Sequence, residues 1–354
     1  MIVMEKILVK INEKLIDVKL AQDVLTSSGI LIVPEDTVIT DHILKKLYDF
    51  KIEDVVVYKP EKAVDIVEST QVNTYELYYK EYSKDVNELK GVLQEIAAGK
   101  RLDYSRVDKI SKNIYYKINN CFSFIECIKA VKSVDEYTYT HSVNVSVYSM
   151  LIGKWLNFND NQLMDIILAG LLHDVGKAKI PLEILNKKGP LTYDEFEIIK
   201  KHTLYGYEIV KDHDEISNEV KKAILTHHEK ENGKGYPMGL KGDQKNLYAK
   251  IITVADVFDA ITTVRVYKDK KTPFDAFKEL EAVGYDALDP QILMVLFKNL
   301  PSYYVGSKVK MNSGELGEVV YVPSQCIYAP VVRLEDEQFL DISKCQDKSI
   351  KEFI

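Results

Sequence analysis

The chain has little cysteine, no long apolar run and no surplus of positive charge, and each shortage removes a class of protein from consideration. Its four cysteines, Cys121, Cys127, Cys326 and Cys345, show no CxxC spacing. Neither a disulfide framework nor a thiolate metal site is expected, and the thiols are read as reduced. No uncharged apolar stretch approaches the roughly 18 residues that a membrane-spanning helix needs. The opening Met1-Ile2-Val3-Met4-Glu5-Lys6 lacks a signal-peptide pattern, so the expectation is a cytoplasmic protein without membrane contact. Lys and Arg number 47 against 54 Asp and Glu, a net charge of -7 with a pI near 5.6. That balance argues against extended nucleic acid as a ligand, because such binding rests on many Lys and Arg contacts to phosphate. Internal repeats and low-complexity tracts are absent as well.

What is present is a chain of 354 residues, 46% of them hydrophobic, enough for two or three domains with sizeable cores. Over residues 1–60 the strand-like runs Ile7–Ile11, Ile30–Val33 and Val55–Tyr58 alternate with a helix that should start at the cap Thr40 and carry Ile43, Leu44, Leu47 and Phe50. This small α+β module holds no catalytic constellation and reads as a packing or homodimerisation module more readily than as a ligand sensor. Residues 61–130 form a helical connector and the first bundle helices, with helical pattern from Thr74 and a break around Ala97–Asp103. Residues 131–300 hold the chemistry. Residues 301–354 turn to short β runs, with turns at Asn312-Ser313-Gly314 and Glu335-Asp336-Glu337. The expected class is mainly α, a helical bundle with a small N-terminal α+β module and a C-terminal β module.

Histidine is scarce too, 7 in all, yet five fall close together as His141, His173-Asp174, His202 and His227-His228, ahead of Asp256. Imidazole nitrogen with carboxylate oxygen suits Fe, Mn or Zn, and this set exceeds what one closed ion needs, so a two-metal site is the simplest reading. Each member falls in or at the end of a helical pattern. Ile166, Ile167, Leu168, Leu171 and Leu172 predict a buried helix that ends at His173 and Asp174 beside Gly176. Adjacent residues diverge by about 100° around a helix, so this pair can face two ions if Asp174 bridges them. Ile198, Ile199, His202, Gly206, Ile209 and Val210 predict one helical face, Ala223 and Ile224 lead to His227 and His228, and Ile251, Ile252, Val254 and Ala255 lead to Asp256. Any one of these histidines could be a hydrogen-bonded core residue. Satisfying them all without a cation would demand more polar pairing than a helical core supplies.

In order along the chain come Tyr137-Thr138-Tyr139-Thr140-His141-Ser142-Val143-Asn144-Val145, His173-Asp174-Val175-Gly176-Lys177, Ile180-Pro181, Ile184-Leu185-Asn186-Lys187, His227-His228-Glu229, Gly233-Lys234-Gly235-Tyr236-Pro237 and Val254-Ala255-Asp256-Val257-Phe258-Asp259-Ala260. On these segments, residues 131–300 resemble an HD-GYP domain, the subgroup of the HD phosphohydrolase superfamily associated with hydrolysis of cyclic di-GMP. The resemblance implies His141, His173, Asp174 and Asp256 around one ion, and Asp174, His202, His227 and His228 around the other. It implies Asp174 and Lys177 as catalytic, Lys177 lying near the attacked phosphate. Tyr236 in the Gly233–Pro237 loop would line the substrate pocket, and Arg265 and Lys268 would hold substrate.

The departures from the family pattern are local. Asn232 stands where the loop usually has aspartate, which removes no metal ligand and is expected to loosen the loop; Val266 replaces a usual proline. Some members hold a third ion through a glutamate one turn before the first histidine. That position is Tyr137 here, and Glu136 lies off the best face, which argues against a third ion.

The activity implied is metal-dependent hydrolysis of cyclic di-GMP to linear pGpG and, with a second cut, GMP. Two divalent ions, Fe or Mn sooner than Zn, would lower the pKa of a water and neutralise charge on the phosphate oxygens. Two alternatives stay open. One is a phosphohydrolase for another cyclic dinucleotide or nucleotide, since metals and Lys177 specify phosphate chemistry and not the base. The other is a non-catalytic cyclic di-GMP receptor, which the intact ligand set disfavours.

Overall fold

The computed structural model describes residues 6–25, 31–35, 37–50, 52, 54–58, 74–120, 137–262, 271–345 and 347–354, and the chain divides into two units, Met1–Tyr78 and Tyr79–Ile354. In the first, β1 (Lys6–Lys10) is followed by β2 (Val24–Leu25), β3 (Leu31–Val33), α1 (Asp41–Asp49) and β4 (Asp54–Tyr58). Period-two burial turns Val9, Val55 and Val57 inward, and β1 pairs antiparallel with β4, Lys6 opposite Tyr58. β2 and β3 form a second antiparallel pair. Thr40 caps α1 by accepting the Ile43 N–H, and Leu44 and Leu47 on its inner face join Leu15, Leu20 and Ile39 in the core.

Helix α2 (Thr74–Ala97) begins before the boundary at Tyr78 and runs on into the second unit, followed by α3 (Tyr104–Asn120). The break between them has a local cause: Gly99 takes a φ of 87° just past the end of α2, and the Asp103 carboxylate accepts the Ser105 N–H at the start of α3.

Helix α4 (Tyr137–Trp155) is the central element, buried at every position from Thr140 to Gly153. It packs against α5 (Asp160–Leu172) and α10 (Leu247–Thr262). A residue in the left-handed region, Asn157 with φ 59°, ends α4 as Phe158 N–H returns to the Gly153 carbonyl, and an Asn159–Gln162 capping box starts α5 two residues later. A short 3-10 turn, Val175–Lys179, then leads to α6 (Leu182–Leu185), α7 (Tyr193–Lys200), α8 (His202–Val210) and α9 (Asn218–Thr226), while α11 (Pro273–Ala287) and α12 (Pro290–Asn299) follow α10. The single helical face expected from Ile198 to Val210 is therefore two helices. The last turn of α7 tightens, Lys201 N–H bonding the Ile198 carbonyl, and α8 restarts at His202.

Strands β5 (Lys308–Met311), β6 (Leu316–Tyr321), β7 (Val331–Leu334), β8 (Phe339–Asp341) and β9 (Ile350–Phe353) make an antiparallel sheet in the order β8-β7-β6-β5-β9. The chain reverses at both expected turns, with Glu337 at φ 63° in the second. Val309, Met311, Val319, Val332 and Ile350 are buried in the same core as Phe274, Phe277 and Tyr304 of the bundle, and Phe353 stacks on Phe274 at 6.0 Å. Among the described residues no helix is long and apolar enough to cross a membrane.

Candidate metal centre

Five elements deliver the seven sequence-predicted ligands to one place. His141 comes from α4, His173 and Asp174 from the end of α5, His202 from the first position of α8, His227 and His228 from the end of α9, and Asp256 from α10. Two glycines allow the helices to meet this closely. A Cβ at Gly170 would stand 2.5 Å from the Ser146 Cα, so α5 lies against the backbone of α4. A Cβ at Gly176 would overlap the His202 carbonyl and the Gly206 amide, so the turn after Asp174 touches α8 directly.

The ligand atoms form two groups. Asp174, His202, His227 and His228 offer donor atoms within 4.8 Å of one another, and so do His141, His173 and Asp256. Asp174 faces both. Its Oδ2 lies 3.2 Å from His173 Nε2 and 3.8 Å from His141 Nε2, whereas its Oδ1 lies 3.4 Å from His202 Nε2 and 3.9 Å from His227 Nε2. His141 Nε2 meets Asp256 Oδ1 at 3.0 Å.

Two atoms test whether a cation fits. His173 Nε2 and Asp174 Oδ1 are buried without a hydrogen-bond partner, an arrangement that costs free energy unless something else satisfies them. Both point into the donor groups, and a divalent cation is the partner their chemistry suits. The buried His/Asp cluster could therefore hold metal.

The electrostatics of the cluster agree. Burial, followed by the repulsion of His228 and its other neighbours, holds His227 well below the ordinary histidine value, and burial lowers His202 and takes His228 to about 3. These rings stay neutral at physiological pH, with lone pairs available as ligands. Burial also works against charge on Asp174 and Asp256, but Lys177 beside the first and His141 beside the second hold both well below the usual carboxylate range. Burial opposes the His141 imidazolium too; the flanking Asp256 and Asp259 carboxylates outweigh it and hold His141 well above the ordinary value.

The rings are oriented from behind. Nδ1 of His173, His202 and His227 each bonds the carbonyl three residues back, at Gly170 (2.8 Å), Ile199 (2.7 Å) and Ile224 (2.9 Å). That local bond leaves Nε2 to face the cluster. His141 differs, since its Nδ1 bonds Asp259 Oδ2 at 2.7 Å. Sequence reasoning gave Asp259 no role, although its place three residues after Asp256 puts both carboxylates on one face of α10.

Glu229 was missed as well. It is fully buried, and its carboxylate accepts the N–H groups of Met238 (2.6 Å), Gly239 (2.9 Å) and Leu240 (2.9 Å). This anchors the loop that carries Tyr236, whose ring lies 4.8 Å from that of His228. Asn232 performs the turn bond expected of aspartate, its Oδ1 accepting the Lys234 N–H at 3.0 Å, while its amide reaches Asp286. Lys177, 28% exposed, donates to Asp174 Oδ2 at 2.5 Å. Arg265, Lys268 and Val266 lie outside the described residues, as do Glu136, Cys121 and Cys127.

Residues 127–292 match the HD domain family model. A cyclic di-GMP phosphodiesterase of Pseudomonas aeruginosa is 36% identical over 64% of this chain and 54% of its own length. A cyclic di-GMP phosphodiesterase of Thermotoga maritima is 35% identical over 49% of this chain and 48% of its own. A 3'3'-cGAMP-specific phosphodiesterase of Vibrio cholerae is 34% identical over 50% and 40%. The chain spans about half the length of these curated relatives. The solved structure of a HDG"Y"P protein from Bdellovibrio bacteriovorus shares the fold, with a TM-score of 0.50 at 20% identity over 84% of this chain and 99% of that one. Residues 127–292 thus resemble an HD domain, and the described part of the chain shares the fold of a solved HDG"Y"P protein.

Proposed function

We propose that the protein is a metal-dependent phosphodiesterase that opens cyclic di-GMP to linear pGpG. It would use two divalent ions, Fe or Mn, one held by His141, His173 and Asp256, the other by His202, His227 and His228, with Asp174 shared. The observation that carries this reading is the placement of Asp174, one oxygen toward each group of buried donors and one of them without a hydrogen-bond partner.

When bound, the ions supply Lewis acidity that makes a water nucleophilic near neutral pH and offsets charge on the phosphate. The residues of the chain do the rest. Burial keeps the rings of His202, His227 and His228 uncharged and so fit to bind. Lys177, half-buried beside Asp174, is placed to shift its ammonium onto the phosphate as charge builds there. Glu229 fixes the loop that sets Tyr236 against the substrate. For Arg265 and Lys268 the role of gripping the substrate rests on the family resemblance alone. The names of the relatives support a cyclic dinucleotide as substrate class, and a cytoplasmic location belongs to the same proposal.

The test is turnover by the full chain, purified without oxygen and loaded with Fe(II) or Mn(II), together with its metal content. We expect two ions per chain and faster cleavage of cyclic di-GMP than of 3'3'-cGAMP. Preference for 3'3'-cGAMP would correct the substrate, and tight binding without cleavage would make the protein a receptor.

A further inference from the structure

Three of the ligand histidines are oriented by carbonyls of their own helical turn, but His141 depends on side chains from other helices. Behind it runs a buried chain of hydrogen bonds. Asp259 Oδ2 bonds His141 Nδ1 at 2.7 Å, Asp259 Oδ1 accepts from the Asn144 amide at 2.8 Å, and Asn144 Oδ1 accepts from the Tyr82 hydroxyl at 2.7 Å. Tyr82, Asn144, His141 and Asp259 are all buried. They sit on three helices, α2, α4 and α10, and α2 is the helix that crosses from the first unit into the second.

We infer that Tyr82, Asn144 and Asp259 are positioning residues that set the ring of His141, and with it the affinity for the ion of the His141–His173–Asp256 group, from the connecting helix α2. The reasoning is geometric. A carboxylate behind an imidazole fixes which nitrogen faces the metal and how the ring is turned. An amide such as Asn144 transmits this because its two ends differ, one accepting from Tyr82 and the other donating to Asp259, so the chain has a fixed direction. Burial, and after it the charge of Asp259, push the Tyr82 phenol well above its ordinary value, so the hydroxyl remains a donor. The other group lacks such a link among the described residues: His202 and His227 take their orientation from Ile199 and Ile224, within their own turns.

The consequence is an asymmetry. The rings of His202 and His227 keep their orientation within their own turns, whereas the ring of His141 keeps its orientation only while α2, α4 and α10 hold their register. A displacement of α2 would loosen the ion nearest His141 and leave the other in place.

This inference rests on the two-ion reading, and the experiment separates the two. Full-length wild type, Tyr82→Phe and Asp259→Asn are titrated with Mn(II) by calorimetry, with bound metal counted by elemental analysis and thermal unfolding recorded alongside. Wild type should bind two ions; failure there would overturn the two-ion reading itself. Asp259→Asn should weaken one of the two binding steps by roughly 10–100-fold and spare the other. Tyr82→Phe should weaken the same step by a smaller factor, since Asn144 and Asp259 intervene. Tyr82→Phe that unfolds at a lower temperature yet binds both ions as wild type does would make Tyr82 merely structural and overturn the proposal. So would an equal weakening of both steps in Asp259→Asn.

Discussion

Lys177 donates a 2.5 Å hydrogen bond to Oδ2 of Asp174, the same oxygen that faces His173 and His141. An ion held by that group would therefore compete with the ammonium for one carboxylate oxygen. Lys177→Ala should leave two ions bound, at least as tightly as before, and lower kcat by roughly 10²–10³, the usual cost of losing one donor to transition-state charge. Metal titration with steady-state kinetics checks both halves. Loss of metal, or a defect confined to KM, would remove Lys177 from the chemical step.

Removing the shared ligand should be more severe than removing an end ligand. Asp174→Ala removes the carboxylate whose two oxygens face both donor groups, whereas His202→Ala takes one donor from a single group. Elemental analysis should show less than one ion per chain in the first variant and about half of the wild-type content in the second. Two ions retained in Asp174→Ala would mean that the carboxylate does not bridge.

Gly176→Ala tests the packing that brings His202 to Asp174. The new Cβ would overlap the His202 carbonyl, and relief requires α8 to move outward. Overpacking of this kind costs about 1–3 kcal/mol. We expect a lower unfolding temperature together with loss of the ion nearest His202. Full metal content and activity in this variant would show that the backbone approach is not needed.

Acid should destabilise the metal-free protein. His202, His227 and His228 are held below their ordinary value, His228 at about 3, so the unfolded chain binds protons that the folded one refuses. Their contribution is complete above about pH 6.5 and is lost as pH falls from there toward 3. His141 is shifted the other way; its contribution is complete below about pH 6.5 and is lost only as pH rises through its folded value, so it does not offset the acid loss. A series of melting curves on metal-free protein from pH 7 to pH 5 should show a falling midpoint, with a shallower slope in His228→Gln. A flat profile in the wild type would contradict the burial of neutral rings.

The candidate ligands are legible in the sequence because each lies where a helical pattern ends or exposes one face: His173 and Asp174 after the apolar run to Leu172, and His227 after Ala223 and Ile224. The capping signal at Thr40 and the break near Gly99 are equally local, since they depend on residues within one turn. The division of Ile198–Val210 into two helices is not, because apolar spacing carries across a tightened turn without interruption.

What the sequence determined by itself was the inventory of the site, which residue types occur and in which helical phase. Only tertiary structure decided that Asp174 turns one oxygen toward each donor group, that Glu229 ties the loop of Tyr236, and that Asp259, Asn144 and Tyr82 line up behind His141. It also decided that Val309, Val319 and Ile350 complete the core around Phe274 and Phe277. The reason is the range of the interactions. A cap or an apolar stripe is settled within a few residues, whereas a hydrogen bond between residues 118 apart, such as His141 to Asp259, exists only after the helices that carry them have packed.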